Sequence, residues 1–172
     1  MPDLSIFAQA FQENRVAFFA VGYFGEILMV IISCILLYGK PLNLVVYLLG
    51  AIFNVFLNKA ILKPLIKQPR PLKPVKFLNT EKITYASYGM PSGHSQFVFY
   101  SIAYLYLIDP KITPWFIIVL AIGILTIYER WVFRNHTLEQ LIAGVLVGSA
   151  VAYGAHRVLY NLLRESSLLL SL

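Results

Sequence analysis

Residues 41–70 read PLNLVVYLLGAIFNVFLNKAILKPLIKQPR, an apolar run that passes directly into a basic, proline-rich segment. Pro41 suits the first turn of a helix, and the apolar run over 42–58 approaches the length that a bilayer-spanning helix needs. Basic residues at the end of such a helix lie at the level of the lipid headgroups. The stretch therefore predicts a membrane helix that presents cations, among them Lys63 and Arg70, at one membrane surface.

The rest of the chain repeats the apolar pattern. The 172 residues are 59% hydrophobic and only 13% charged, and the mean hydropathy is +0.72. Apolar runs of this kind cross a bilayer as helices. The predicted spans are 16–38, 42–58, 94–108, 112–128 and 138–160. The fold class is therefore an all-α, polytopic membrane helical bundle of about five transmembrane helices, forming one domain over 1–172.

Charge and cysteine content narrow the possible partners. The formal net charge is +6, and most of the excess lies between Lys59 and Lys82. No nucleic-acid module accompanies it, so we interpret the excess as a surface for anionic lipid headgroups. Cys34 is the only cysteine, which excludes an intrachain disulfide and a cysteine zinc site. Mixed polar and apolar residues over 1–15 predict a short interfacial helix or a frayed terminus.

Three short blocks each border an apolar run. They read Lys63-Pro-Leu-Ile-Lys-Gln-Pro-Arg70-Pro71, Pro91-Ser92-Gly93-His94 and Arg130-Trp-Val-Phe-Arg-Asn-His136. With five spans, all three blocks fall on one face of the membrane. The long connection over 67–90 joins the first two blocks. Because long connections without a clear element are usually functional, we interpret it as an active-site loop.

The cations of the blocks suit a phosphate group. Fixed positive charge on the phosphoryl oxygens supplies most of the catalysis in phosphoryl transfer. Arg70 and Arg130 can each present a planar, bidentate fork, and Lys63 a point charge. Taken singly, each could equally extend from a helix end to lipid headgroups. Together, and accompanied by two histidines, they favour a phosphate site.

The histidines suit proton and phosphoryl transfer. Pro91 and Ser92 suit a helix start, and Gly93 lets backbone N–H groups approach an anion. His94 can donate a proton to a leaving oxygen, and His136 can attack phosphorus to form a phosphohistidine that water hydrolyses.

The partner that orients His136 stays open between two residues. Gln140 lies one helical turn further along the chain and can accept a hydrogen bond from Nδ1. Glu139, three residues on, competes for that role. The site offers cations rather than a carboxylate cluster, so we expect neither a metal nor another cofactor. Glu26, a carboxylate within an apolar run, is a further functional hypothesis because its partner could be a site cation.

These motifs resemble the type 2 phosphatidic acid phosphatase (PAP2) superfamily over roughly 42–160. Its pattern is Lys-x6-Arg-Pro, then Pro-Ser-Gly-His, then Ser-Arg-x5-His-x3-Asp. The resemblance implies a helical membrane core with His136 as nucleophile and His94 as acid and base. It also implies a phosphate site, whose residues would be Lys63, Arg70 and Arg130, assisted by Ser92 and Gly93.

Two positions depart from that pattern. Glu129 stands where the superfamily has serine, and Gln140 stands where it has aspartate. With glutamine at position 140, the chain resembles the dolichyl diphosphatases. The stretch from Tyr88 to Phe97 resembles theirs as well, although they usually have a second serine where Gly93 stands. This resemblance implies hydrolysis of dolichyl diphosphate to dolichyl phosphate and phosphate.

Orientation and activity leave alternatives. Ten of the fourteen lysines and arginines fall on the membrane face that carries the three blocks. By the positive-inside rule, this excess predicts that the site faces the cytosol. The resemblance implies a site facing the lumen of the endoplasmic reticulum, and we follow it because a phosphate site needs cations on either side. The alternatives are another PAP2 lipid phosphatase, acting on phosphatidate or undecaprenyl diphosphate, and a catalytically silent protein that binds anionic lipids.

Overall fold

The computed structural model describes residues 16–74 and 88–169. Within these ranges every regular element is a helix, so the predicted all-α membrane bundle is confirmed. The predicted interfacial helix over 1–15 lies outside the described residues, as does the middle of the 67–90 loop.

The first predicted span is wrong as a single helix. It forms α1, Val16–Tyr23, and α2, Gly25–Leu37, which are separated at Phe24. The backbone of Phe24 leaves the helical region, with φ −88° and ψ 11°. The two glycines that flank the break pack closely on a later helix, Pro114–Val132. A Cβ on Gly22 would lie 2.6 Å from the Leu125 carbonyl oxygen, and Gly25 abuts Thr126.

The second span is one continuous helix, α3, Pro41–Ile66. Its Pro41–Phe56 part is α-helical, and Leu57–Leu62 forms a π-helical segment. The wider turn shows in the backbone, since the Lys63 N–H bonds to the carbonyl of Asn58, five residues earlier. The helix ends at Lys67, whose φ of 55° is left-handed. The polar end of the helix thus reaches Ile66.

The remaining helices are α4, Gly93–Ile108, α5, Pro114–Val132, and α6, Leu138–Leu169. By length and composition, three of the helices described can cross a bilayer, namely α3, α5 and α6 over Leu138–Arg164. The apolar α2 is shorter, and α4 has 16 residues, or about 24 Å. The third predicted span is therefore short, as the sequence indicated.

Helix α4 occupies the middle of the bundle and contacts α2, α3, α5 and α6. Its closest neighbour is α6, where small residues recur every four positions. Gly144 and Gly148 bring the α6 backbone against Ser92 and Gln96, and Ala152 is fully buried. Small residues let membrane helices approach without side chains between them.

Helices α3 and α4 are joined by polar contacts along their length. The hydroxyls of Tyr100 and Tyr104 donate to backbone carbonyls of α3, at 2.7 and 2.8 Å. Nearer the site, Gln96 donates to the Asn54 side chain at 2.8 Å and accepts from Asn58 at 2.7 Å. Asn58 also donates to the carbonyl of Pro91 at 3.2 Å. These bonds fix the end of α3 relative to the start of α4.

Candidate active site

The three blocks meet at the side chain and backbone of Gln140. Its carbonyl accepts from the Ser92 N–H at 2.9 Å. Its side-chain amide donates to the Gln68 side chain at 3.0 Å and to the Pro69 carbonyl at 2.8 Å. The loop that precedes the second block is tied in as well, since the Gly89 N–H donates to the Gln68 carbonyl. Gln140 is fully buried, so it organises the site from within.

His136 lies in the turn between α5 and α6 and is only 2% exposed. Its Nδ1 is 3.1 Å from Gln140 Oε1, and its Nε2 is 3.3 Å from Arg70 Nη1. The Gln140 amide nitrogen faces the Pro69 carbonyl, so the oxygen must face His136. A guanidinium can only donate. His136 therefore carries its proton on Nδ1 and keeps a lone pair on Nε2.

The surroundings of His136 keep the imidazole neutral. Burial, followed by the positive charge of Arg70, lowers the pKa of His136 from 6.5 to about 3, although the hydrogen bond that His136 donates to Gln140 opposes the shift. Lys63 and Arg130 act in the same direction as Arg70. A histidine with this pKa is unprotonated at neutral pH, which is the form that a nucleophile requires.

Gln140, rather than Glu139, contacts the nucleophile candidate. The helix that carries both begins at Leu138, and the Thr137 hydroxyl caps it by accepting from the Gln140 N–H at 3.3 Å. This start directs residue 140 back to His136 and leaves Glu139 exposed. Of the two partners that the sequence left open, the geometry favours Gln140.

Arg130 occupies the last turn of α5 and is 5% exposed. Its Nε lies 2.8 Å from Glu129 Oε2, and its guanidinium carbon lies 5.1 Å from the centre of the Tyr23 ring. Glu129 is one of the two departures from the superfamily pattern. Here its buried carboxylate is an ion-pair partner that holds the guanidinium, a contact that the sequence pattern did not reveal.

The two cations of the first block approach from α3 and its following loop. Arg70 Nη1 donates to the Asn135 carbonyl at 3.2 Å. Burial and then the charge of Arg130 lower the pKa of Arg70, because the two guanidinium groups share one end of the bundle. Lys63, in the last turn of α3, acts electrostatically on both His94 and His136. Such converging positive charge stabilises an anion between the groups.

The second block forms the start of α4. Ser92 caps the helix, with its hydroxyl accepting from the Ser95 N–H at 3.4 Å and from the Ser95 hydroxyl at 3.2 Å. The Ser92 side chain is fully buried, so these contacts give it a structural role, and phosphate binding by Ser92 stays a prediction. Gly93 and His94 are the first two residues of α4. His94 Nδ1 lies 3.7 Å from Glu26 Oε1.

A cleft of about 810 Å³ opens beside His136. Basic and apolar side chains share its wall. The residues that line it are Pro71, Leu72, Lys73, Trp131, Arg134, His136, Thr137 and Leu138. The cleft therefore joins a positively charged region to an apolar one next to the nucleophile candidate. Over residues 16–74 and 88–169, the structure contains no group of three or more histidine, cysteine or acidic side chains arranged to hold a metal.

Residues 43–164 match the PAP2 superfamily, and the chain belongs to it. Among curated proteins, the chain is similar to Dolichyldiphosphatase of Saccharomyces cerevisiae, with 30% identity over 149 residues, which are 80% of this chain and 55% of that protein. Dolichyldiphosphatase 1 of Dictyostelium discoideum is 28% identical over 131 residues, covering 69% of this chain and 53% of that protein.

The chain spans about half the length of these curated relatives. No solved structure matches it. The comparisons therefore confirm the superfamily that the sequence motifs indicated.

Proposed function

We propose that the protein hydrolyses a polyisoprenyl diphosphate, of the dolichyl type, to the monophosphate and inorganic phosphate. The observation that carries the proposal is the arrangement of His136, with Nδ1–H directed to Gln140 and the Nε2 lone pair beside Arg70. This is a neutral, oriented nucleophile within a group of cations. Such an arrangement suits attack on phosphorus without a metal.

In the first step, His136 Nε2 attacks the terminal phosphorus. The N–P bond forms as the bond from phosphorus to the bridging oxygen breaks. His94 gives its proton to that oxygen, and the lipid monophosphate leaves. Arg70, Arg130 and Lys63 bind the phosphoryl oxygens, whose charge is redistributed in the transition state. Arg70 exchanges its contact with Nε2 for a contact with the phosphate.

In the second step, water attacks the phosphohistidine. His94, now neutral, accepts a proton from the water as the new P–O bond forms and the N–P bond breaks. Phosphate leaves, His136 regains its lone pair, and His94 is protonated again. Gln140 holds the Nδ1 proton throughout, so the same nitrogen reacts in both steps.

Two observations favour a polyisoprenyl diphosphate over phosphatidate. Glutamine at position 140 resembles the dolichyl diphosphatases, and two curated relatives carry that activity in their names. The cleft beside His136 also combines two basic side chains, Lys73 and Arg134, with the apolar Leu72, Trp131 and Leu138. This combination suits a diphosphate joined to a long apolar chain.

A substrate panel tests the proposal directly. We expect the purified chain in detergent to release phosphate from farnesyl and dolichyl diphosphates at least about tenfold faster, by kcat/KM, than from phosphatidate. The rates should be unchanged in excess EDTA, because arginine and lysine rather than Mg²⁺ neutralise the phosphate. A preference for phosphatidate would favour the other PAP2 activity. Activity lost in EDTA and restored by Mg²⁺ would contradict the mechanism, and no release from any lipid would indicate a silent binding protein.

The family resemblance also supports a location in the endoplasmic reticulum of a eukaryotic cell, with the site facing the lumen. We expect a cysteine introduced at the exposed Lys67, in a chain with Cys34 replaced by serine, to be protected from a membrane-impermeant thiol reagent in sealed microsomes. Labelling before the microsomes are opened would place the site in the cytosol, as the charge count suggests.

A further inference from the structure

The contact between Glu26 and His94 has no part in the mechanism above. Glu26 lies in the first turn of α2, and its carboxylate oxygen is 3.7 Å from His94 Nδ1. The two residues are 68 positions apart in the sequence, so the bundle, not the local chain, brings them together. Helix α2 carries none of the three motif blocks, and Glu26 is the residue it places at the site.

The charges around His94 are otherwise mainly positive. Burial of the ring opposes a positive charge on its imidazole, and so do the charges of Arg130, a protonated His136, Arg70 and Lys63. Glu129, a buried carboxylate at this end of the bundle, is paired with Arg130 at 2.8 Å. The charged and titratable groups that face the pair from the neighbouring elements are Lys59, Lys63, Arg70, Glu129, Arg130 and His136. Glu26 is thus the described carboxylate at ion-pair distance from His94.

We propose that Glu26 is a positioning residue for the proton-transfer histidine. Its carboxylate accepts from His94 Nδ1, fixes the ring and favours the protonated form, which leaves Nε2–H to serve the bridging oxygen. The separation of 3.7 Å exceeds a hydrogen bond but lies within ion-pair reach, and catalytic contacts are often longer in the free enzyme than in the reacting complex. Glu26 and His94 are partly exposed, with 38% and 33% of their side-chain surface accessible, so the ring is open to substrate.

The role can be followed proton by proton. In the first step Nε2–H passes to the bridging oxygen, while Nδ1–H stays directed at Glu26. In the second step Nε2 accepts a proton from the attacking water. Glu26 exchanges no proton with the substrate, and its charge compensates the imidazolium that exists before the first step and after the second. It therefore does for His94 what a carboxylate does for a catalytic histidine in a hydrolase triad.

The inference rests on His94 as acid and base in the proposed mechanism, but not on the identity of the lipid. The experiment measures kcat/KM of the purified full chain from about pH 5 to about pH 9, using farnesyl diphosphate, or phosphatidate if that is the better substrate. The high-pH limb of this profile reports loss of the proton from His94 in the free enzyme. We expect Glu26→Gln to move the limb to lower pH by about one unit, because an amide no longer favours the imidazolium.

Two controls make the result specific. Glu139→Gln removes an exposed carboxylate from α6 and should leave the limb where wild type has it. In a His94→Asn background, Glu26→Gln should lower the residual rate no further, as expected for residues that act as one unit. A Glu26→Gln limb at the wild-type position, or a full additional loss in the His94→Asn background, would overturn the proposal.

Folding and lipid identity are separated from this readout. If Glu26→Gln cannot be recovered folded, Glu26→Asp serves in its place, because it withdraws the carboxylate by one methylene. The high-pH limb of Glu26→Asp should move to lower pH by about half as much as expected for Glu26→Gln. An unmoved limb in Glu26→Asp would then overturn the proposal. If the substrate is not a polyisoprenyl diphosphate, the wild-type substrate panel will show it. That panel compares rates on different lipids and does not depend on the position of the high-pH limb.

Discussion

Replacing His136 with alanine is expected to lower phosphate release at least about a thousandfold, because the variant has no group to form the covalent intermediate. The side chain is buried in a preformed turn, where the N–H groups of Asn135 and His136 both bond to the Arg130 carbonyl. The thermal unfolding of the variant in detergent should therefore stay close to that of wild type. Steady-state phosphate release and a melting curve measure the two effects.

His156 supplies a matched control for that experiment. It is the third histidine of the chain and lies 20 residues beyond His136, in the second half of α6, so His156→Ala should keep the wild-type rate. A second control traps the intermediate: when turnover of a labelled diphosphate is quenched, the wild-type protein should carry an acid-labile phosphohistidine and His136→Ala should carry none. If His136→Ala retains more than about a few per cent of the wild-type rate, His136 is not the nucleophile.

Gln140→Leu is expected to lower kcat/KM by roughly ten- to a thousandfold, in line with lost positioning of a reacting group. The leucine has a similar volume but cannot accept from His136 Nδ1. It also removes both bonds to the Gln68–Pro69 segment that carries Arg70. The loss should therefore fall on both kcat and substrate binding, which the separate measurement of kcat and KM will show.

Gln140→Glu separates the two functions of that side chain. A carboxylate can stabilise the imidazolium of His136 and raise its pKa, which should move the pH optimum upward. It cannot donate, however, so at neutral pH its second oxygen would face the Gln68 oxygen and the Pro69 carbonyl. We expect a lower melting temperature together with the altered pH profile. Glu139→Gln should change neither property; if it cripples the enzyme while Gln140→Leu does not, Glu139 is the true partner.

The helices and the assembly of the blocks were predictable because both depend on local patterns. Apolar run lengths predicted the starts of α3 to α6 to within two residues, although α3 and α6 extend eight and nine residues beyond their predicted ends. The topology of the runs brought Lys63, His94 and His136 to one face. The break at Phe24 was not predicted, since no proline marks it and its flanking glycines act by packing against α5. Such tertiary contacts leave no periodic signal in one sequence.

The contacts that complete the site were also beyond the sequence. Neighbouring residues on a helix do not face one another, so nothing in the pattern paired Glu129 with Arg130. The donation from Gln140 to the first block depends on a loop 71 residues away. Glu26 was marked as unusual because it interrupts an apolar run, but only the packing of α2 against α4 identifies His94 as its neighbour.

The π-helical segment Leu57–Leu62 makes the two ends of α3 independent of each other. In a regular α-helix each residue is rotated by about 100° from the one before it. The direction of Lys63 would then be fixed by the direction of the apolar face of α3. The widened turn takes up one extra residue, so Lys63 can face the site while the residues before the segment keep their register against α4. Shortening this segment by one residue would turn Lys63 away and leave the membrane-facing portion unchanged. The direction of Lys63 can therefore change without a change in the membrane-spanning part of α3.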